Sequence, residues 1–240
     1  MSWSLVAVRG IGETIARMLV QARHQVVLMD WRADRLVSLA KELNGEGAAC
    51  VQPVPGDVSV WADCTRVVDS GLQVFGQLDT LVNSVGTWVD APFIEVEPDE
   101  IQHFIRTDVT GAAQISKAIL PVLQKGAGGR IIHINGLQGF IRQRPLVLYA
   151  TVESAVRGLC ESLRWEATSY GVHVGLITLG AVVNAEPATS ESSVLHQEGK
   201  RYRLSRSEVA SAVLFMPLQP TGVNVDEIGP ALSGVEVVAE

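Results

Sequence analysis

Short apolar runs closed by Gly, Asp or Asn alternate with longer stretches in which apolar residues recur every three to four positions, up to about residue 179. The pattern predicts strands at Ser4–Val8, Gln25–Met29, Ala48–Val54, Leu78–Asn83, Arg130–Asn135 and Val172–Leu179. Between them it predicts helices at Ile11–Arg23, Ala33–Leu43, Val60–Phe75, Pro98–Leu123 and Leu148–Tyr170. Arg35, Lys41 and Glu42 fall on the water side of the second helix. Pro98 suits a helix start, where its missing N–H costs nothing, and Asp99 and Glu100 in the same turn complement the positive end of the helix dipole.

Runs such as VVLM and TLVN are apolar on both faces, so helices must cover both sides of the sheet they form. Strand–helix alternation of this kind specifies an α/β fold, a doubly wound parallel sheet of about seven strands in one domain over residues 1–240. Ligands of such sheets bind beyond the carboxyl ends of the strands, which directs attention to Val8–Gly12, Asp30, Asn83–Trp88, Gly136–Phe140 and Gly180–Glu186. Periodicity fades after Asn184, and residues 184–205, rich in Ser and Glu, are expected to form a lid loop over that crevice.

Composition narrows the function classes. With 19 basic and 26 acidic residues the net charge is −7, and no basic run exists to follow a phosphate backbone, so no nucleic-acid partner is expected. Cys50, Cys64 and Cys160 are too scattered for a disulfide framework or a metal knuckle, and a reducing compartment suits them. No apolar stretch is long enough to cross a membrane and the start lacks a signal-like pattern, so a cytoplasmic protein is expected. His24, His103, His133, His173 and His196 show no ligand spacing, and no metal is expected. His133, on a buried strand, reads as a satisfied core histidine.

The order of RGIGETIARML, DWRADRL, GDVS, LVNSVG, GGRIIHING, LYATVESAVRGLCESLRWEA and LGAV resembles the classical short-chain dehydrogenase/reductase family over essentially the whole chain. The end, LSRSEVASAVLFMPLQPTGVNVDEIG, looks like the close of its broad-specificity hydroxy-acid dehydrogenases and clavulanic-acid-type reductases. The resemblance implies a Rossmann-type sheet, a nicotinamide dinucleotide, hydride transfer by a Ser, Tyr and Lys set assisted by an Asn, and assembly through the helices matching Pro98–Leu123 and Leu148–Tyr170.

Residue by residue, the chain departs from that pattern. The family cradle TGxxxGxG meets SLVAV followed by Arg9, Gly10, Ile11 and Gly12. If the apolar run is the strand, about three loop residues are missing; if the spacing is kept, Leu5 and Val6 stand at Thr and Gly. Either way the first glycine is gone, and with it the close approach of backbone to a pyrophosphate. Asp30 matches the ribose reader and would favour NAD over NADP, although Arg32 nearby argues the other way. Asp57 matches the residue near the adenine, and Asn83 the strand-steadying Asn. Each of these also has an ordinary structural explanation.

Tyr149 matches the family tyrosine, but Glu153 stands one helical turn on, in the lysine position, and would raise the phenol pKa where lysine lowers it. Gly136 replaces the serine, Asp108 the asparagine, and Asn184 the threonine near the carboxamide. The expectation is therefore that no cofactor is needed and that Asp108, Tyr149 and Glu153 form an acid–base cluster. Trp88, Gly136, Phe140 and Asn184 would line its pocket, with Trp165 on a neighbouring helix. Such a site suits cyclase, dehydratase or isomerase chemistry on a small, aromatic or polycyclic secondary metabolite. Two alternatives stay open: an inactive partner subunit, and an NAD(P)-dependent carbonyl reductase with an atypical site. A homodimer or homotetramer is expected, with a hetero-partner if the chain is the inactive partner subunit.

Overall fold

Along β2 (Gln25–Asp30), Val26 and Leu28 enter one apolar cluster while Val27 and Met29 enter another, as a strand buried on both faces requires. The same division recurs at Leu81 and Val82 of β4 (Thr80–Asn83), at Ile131 and Ile132 of β5 (Gly129–Gly136) and at Leu176 and Ile177 of β6 (Val172–Leu179). With β1 (Ser2–Val6), β3 (Val51–Pro55) and β7 (Glu227–Ile228) they form one seven-stranded sheet in the order β3-β2-β1-β4-β5-β6-β7. Every neighbouring pair is parallel. The computed structural model describes residues 2–6, 10–45, 49–88, 91–126, 128–137, 146–180, 182, 204–220 and 222–229.

Helices α1 (Ile11–Gln21), α2 (Ala33–Asn44) and α7 (Arg206–Phe215) cover one face; α3 (Trp61–Phe75), α5 (Gly111–Lys125) and α6 (Val147–Thr168) cover the other. Ile15, Leu19, Val209 and Val213 are fully buried between α1 and α7. Each such side chain contributes about 1.5–3 kcal/mol by leaving water. Gly175 of β6 has no room for more: a methyl there would meet Met216 Cε at 2.1 Å and the Val225 carbonyl oxygen at 2.9 Å.

Three expectations change. The first strand ends at Val6, in register with Met29 and Asn83, so residues 7–10 connect it to α1 and the connection is not shortened. The helix expected over Pro98–Leu123 is interrupted: α4 (Pro98–Phe104), opened by the Glu100 carboxylate accepting the Glu97 N–H at 3.0 Å, runs into a π-helical stretch, Ile105–Thr110, before α5. Such wide turns rotate the side chains that follow, and this one turns Asp108 inward. Helix α7 and strand β7 go beyond the predicted elements. Of the expected lid 184–205, Leu204 is core and Ser205 caps α7, while 184–203 lies outside the described residues.

Candidate active site

The carboxyl ends of β1, β2, β4, β5 and β6 open on one side of the sheet, and most of the expected site residues lie there. Arg9, Phe140 and Asn184 fall outside the described residues. Trp165 does not belong to the site. It sits sixteen residues after Tyr149 on α6, about 24 Å along a helix of 1.5 Å rise, and is 86% exposed.

The catalytic end is built by the start of α6 and the π-helical turn. Phe104, Leu148 and Val152 form a small separate core against which Val109 and Tyr149 pack, fixing the first turn of α6. The Tyr149 hydroxyl faces the Glu153 carboxylate one turn on, close enough for each to act on the other's ionisation. The Trp88 ring meets the Tyr149 ring edge-on at 4.6 Å and remains 58% exposed. Glu153 Oε2 also accepts the Gly136 N–H at 2.6 Å, and Asn135 Nδ2 donates to the Glu153 carbonyl oxygen at 3.1 Å. At Gly136 the only donor is thus a backbone N–H already given to Glu153.

Asp108 is held from the β4 side. Thr87 donates its hydroxyl to Oδ2 at 2.8 Å and its N–H to both carboxylate oxygens at 3.1 Å. The three acidic groups act on one another. Burial lifts the Glu153 carboxyl to about 7, opposed by the Gly136 N–H and the Tyr149 hydroxyl and reinforced by the Asp108 charge. Burial also raises Asp108, less the effect of its Thr87 bonds. The Tyr149 phenol is pushed above its ordinary 10 by burial first, then by Glu153 and Asp108. Asp108, Tyr149 and Glu153 are thus brought together, with a neutral phenol beside a carboxyl poised near neutrality.

At the other end of the crevice, Asp30 closes β2 but is not offered as a free carboxylate. Arg32 grips it through Nε at 2.8 Å, Nη2 at 2.7 Å and its backbone N–H at 2.9 Å, with the guanidinium 5.5 Å from the Trp31 ring centre. Asp57 turns into the start of α3, accepting the Ser59 N–H at 2.8 Å while its own N–H donates to Asp63 at 2.9 Å. Asn83 also has structural work. Its Nδ2 donates to His133 Nδ1 at 3.0 Å and its Oδ1 accepts the Val85 N–H at 3.2 Å. His133 meets Ser116 Oγ at 2.9 Å through Nε2, so both ring nitrogens are satisfied by neutral groups and burial lowers its pKa to about 4. It is the core histidine that its strand position suggests.

Gly10 is the N-cap of α1 with φ +62°, a region open to glycine, and α1 has no side-chain cap. Gly12 is buried in the first turn against the sheet. Among the described residues, a methyl on Gly86, after β4, would meet no atom within 4 Å, and one on Gly10 would meet only Arg206 Nε, at 3.9 Å. Among the described residues nothing fills the crevice between α1, Asp30–Arg32 and Gly86, which has amide donors and a guanidinium on its rim. Those residues fit the adenosine diphosphate half of a dinucleotide, and Trp88, two residues after Gly86, touches Tyr149. Sequence reasoning passes over Thr87 and Arg206. The first carries no motif; the second has one signal, a capping pattern SRSE that marks the start of α7.

Comparison with known proteins bears on these readings. The short chain dehydrogenase family model matches residues 6–193. An uncharacterized oxidoreductase of Staphylococcus aureus (strain MRSA252) is 31% identical over 219 residues, 91% of each chain. Among solved structures, a serine dehydrogenase from Escherichia coli matches with a TM-score of 0.82 at 24% identity, covering 96% of this chain and 97% of that one. An alcohol dehydrogenase from Thermococcus sibiricus, complexed with 5-hydroxy-NADP, matches with a TM-score of 0.81 at 24% identity and 95% coverage of each. The expectation of no cofactor is corrected by these matches: the family is one of dehydrogenases, and a solved chain of this fold holds an NADP derivative; which of NAD and NADP this chain prefers is a separate matter. Its physical basis also weakens, since β1 leaves a full connection to α1 and the charge of Asp30 is neutralised by Arg32. A family match spanning residues 6–193 and a 31%-identical relative covering 91% of the chain agree with the parallel sheet and with Tyr149 at the start of α6: the chain belongs to the short chain dehydrogenase family.

Proposed function

We propose that this protein is a nicotinamide-dinucleotide-dependent oxidoreductase acting between a small carbonyl compound and its alcohol, with a carboxyl group in place of an ammonium beside its tyrosine. The names of its relatives, oxidoreductase and dehydrogenase, support this over a non-redox cyclase or an inactive partner. The observation that carries it is the placement of Gly10, Arg32 and Gly86 beyond the carboxyl ends of the parallel strands, with the segment after Gly86 reaching Asp108 through Thr87 and Tyr149 through Trp88.

When bound, the dinucleotide supplies or accepts the hydride; the chain handles the proton. In reduction, Tyr149 donates its phenolic proton to the carbonyl oxygen and takes one from protonated Glu153. In oxidation, the alcohol proton passes to Tyr149 as the phenolic proton passes to the Glu153 carboxylate. Because the phenol is held neutral, the two transfers are concerted and no tyrosinate accumulates. Glu153 at about 7 serves as acid or base with little change in pH. Asp108, anchored by Thr87, sets the charge around the pair, and the open Trp88 ring gives an apolar wall for a planar substrate.

Titration with NADH and NADPH, followed by energy transfer from tryptophan to the nicotinamide, tests the reading. Saturable binding to the wild type, and to Tyr149→Phe with turnover lost on a carbonyl panel, is the expected result. Absence of binding of both cofactors up to millimolar concentration overturns it.

A further inference from the structure

Arg206 is the first residue of α7, where the positive end of the helix dipole disfavours a cation. It takes no part in capping. Ser205 Oγ accepts the Glu208 N–H at 3.2 Å and the Glu208 carboxylate accepts the Ser205 N–H at 2.7 Å, so the helix start is satisfied without it. Among the described residues Arg206 also enters none of the ion pairs. Its guanidinium reaches across to α1 instead, with Nε 3.9 Å from where a methyl on Gly10 would stand.

What it faces there is a second positive feature. The N–H groups of Ile11, Gly12 and Glu13 have no intrahelical carbonyl, and Gly10 caps them with no side chain. The one acid of that turn, Glu13, is committed to Arg17 at 2.9 Å and Arg35 at 2.7 Å. The juxtaposition is rigid, because Ile15, Ala16 and Leu19 of α1 are buried against Val209, Ala210 and Val213 of α7. Among the described residues, a cation and an amide-lined helix start stand around a space that nothing else fills, which leaves room for a group of opposite sign.

We propose that Arg206 is a diphosphate-binding residue of the dinucleotide site. The inference rests on the oxidoreductase reading and adds to it a residue from outside the cradle. It offsets the departure at position 6, where this chain has valine and the family pattern has its first glycine. The guanidinium would supply the forked, charged donors that suit phosphate oxygens.

Calorimetric titration of the full chain with ADP, with adenosine and with NADH and NADPH tests this, using wild type, Arg206→Ala and Arg206→Lys. In the wild type ADP binds more tightly than adenosine. In Arg206→Ala, affinity for ADP and for the dinucleotide falls about ten- to a hundredfold, as loss of a charge-assisted contact implies, adenosine is unaffected, and the salt dependence of ADP binding shrinks. Arg206→Lys keeps the charge and recovers part of the affinity, and it carries the test if the Ala variant fails to fold. Unchanged ADP affinity in folded Arg206→Ala, with a wild type that binds dinucleotide, overturns the inference alone. A wild type that binds neither dinucleotide overturns the oxidoreductase reading and this inference with it.

Discussion

Glu153→Gln isolates the energetic cost of the carboxyl that stands beside Tyr149. Glu153 is 8% exposed, and its carboxyl is lifted from an ordinary 4.5 to about 7 by burial. In that window the native state holds a proton that the unfolded chain releases. The contribution to stability is therefore fully present below about 4.5 and is lost as pH rises through about 7. At 1.36 kcal/mol per pH unit the loss is about 3 kcal/mol. Glutamine cannot titrate, yet its amide oxygen can still accept the Gly136 N–H. Urea unfolding of both proteins followed by circular dichroism, between about pH 5 and pH 8, gives the difference in stability at each pH. That difference should shift by about 2–3 kcal/mol in favour of the variant toward the alkaline end. His133 titrates in part of the same range but is common to both proteins and cancels. A difference that stays flat across the range would refute the claim that Glu153 is destabilised as an anion, and with it the proton relay.

Two further outcomes are expected. His133, lowered from 6.5 to about 4, stays neutral in the native state while the unfolded chain takes up a proton. Stability is then complete above about 6.5 and falls by about 3 kcal/mol as pH drops to about 4; His133→Gln should lack this slope in acid unfolding titrations, and a slope equal to wild type would contradict the assignment. Gly175→Ala forces a methyl against Met216 Cε and the Val225 carbonyl oxygen, and should cost about 1–3 kcal/mol, read as a lowered melting temperature; an unchanged melting temperature would mean that β6 and its cover are looser than described.

What is legible in the sequence depends on whether a feature is periodic or cross-chain. Strands β2 and β4 are short apolar runs between breakers, and β5 and β6 carry adjacent apolar pairs, Ile131–Ile132 and Leu176–Ile177, that mark burial on both faces. The end of β1 is not legible, because SLVAV is apolar beyond the strand and only pairing of Val6 with Asn83 fixes where it stops. The break at Ile105–Thr110 carries no Pro or Gly at its start, so a helical period runs through it unmarked. Helix α7 is nearly all apolar over VASAVLF and shows no polar stripe, while β7 is two residues long. In the site, Tyr149 and Glu153 are legible as an i, i+4 pair, and Asp108 through the family pattern. The grip of Arg32 on Asp30, the hold of Thr87 on Asp108 and the reach of Arg206 to Gly10 are not, since each depends on side-chain direction or on contacts between distant elements. The preference for NAD inferred from Asp30 loses weight for that reason: the carboxylate that carried it is paired with Arg32.

Just past β6, Val182 forms a parallel bridge with Leu204, immediately before α7. Val182 and Leu204 thus lie side by side, about one strand spacing of 4.8 Å apart. Both anchors are secured independently of what joins them: Leu204 is buried in the core and Ser205 closes the capping box of α7. A graft of different length can be spliced between these anchors at a closure cost that grows only with the logarithm of its length, leaving strand order and the α1–α7 contact as they are.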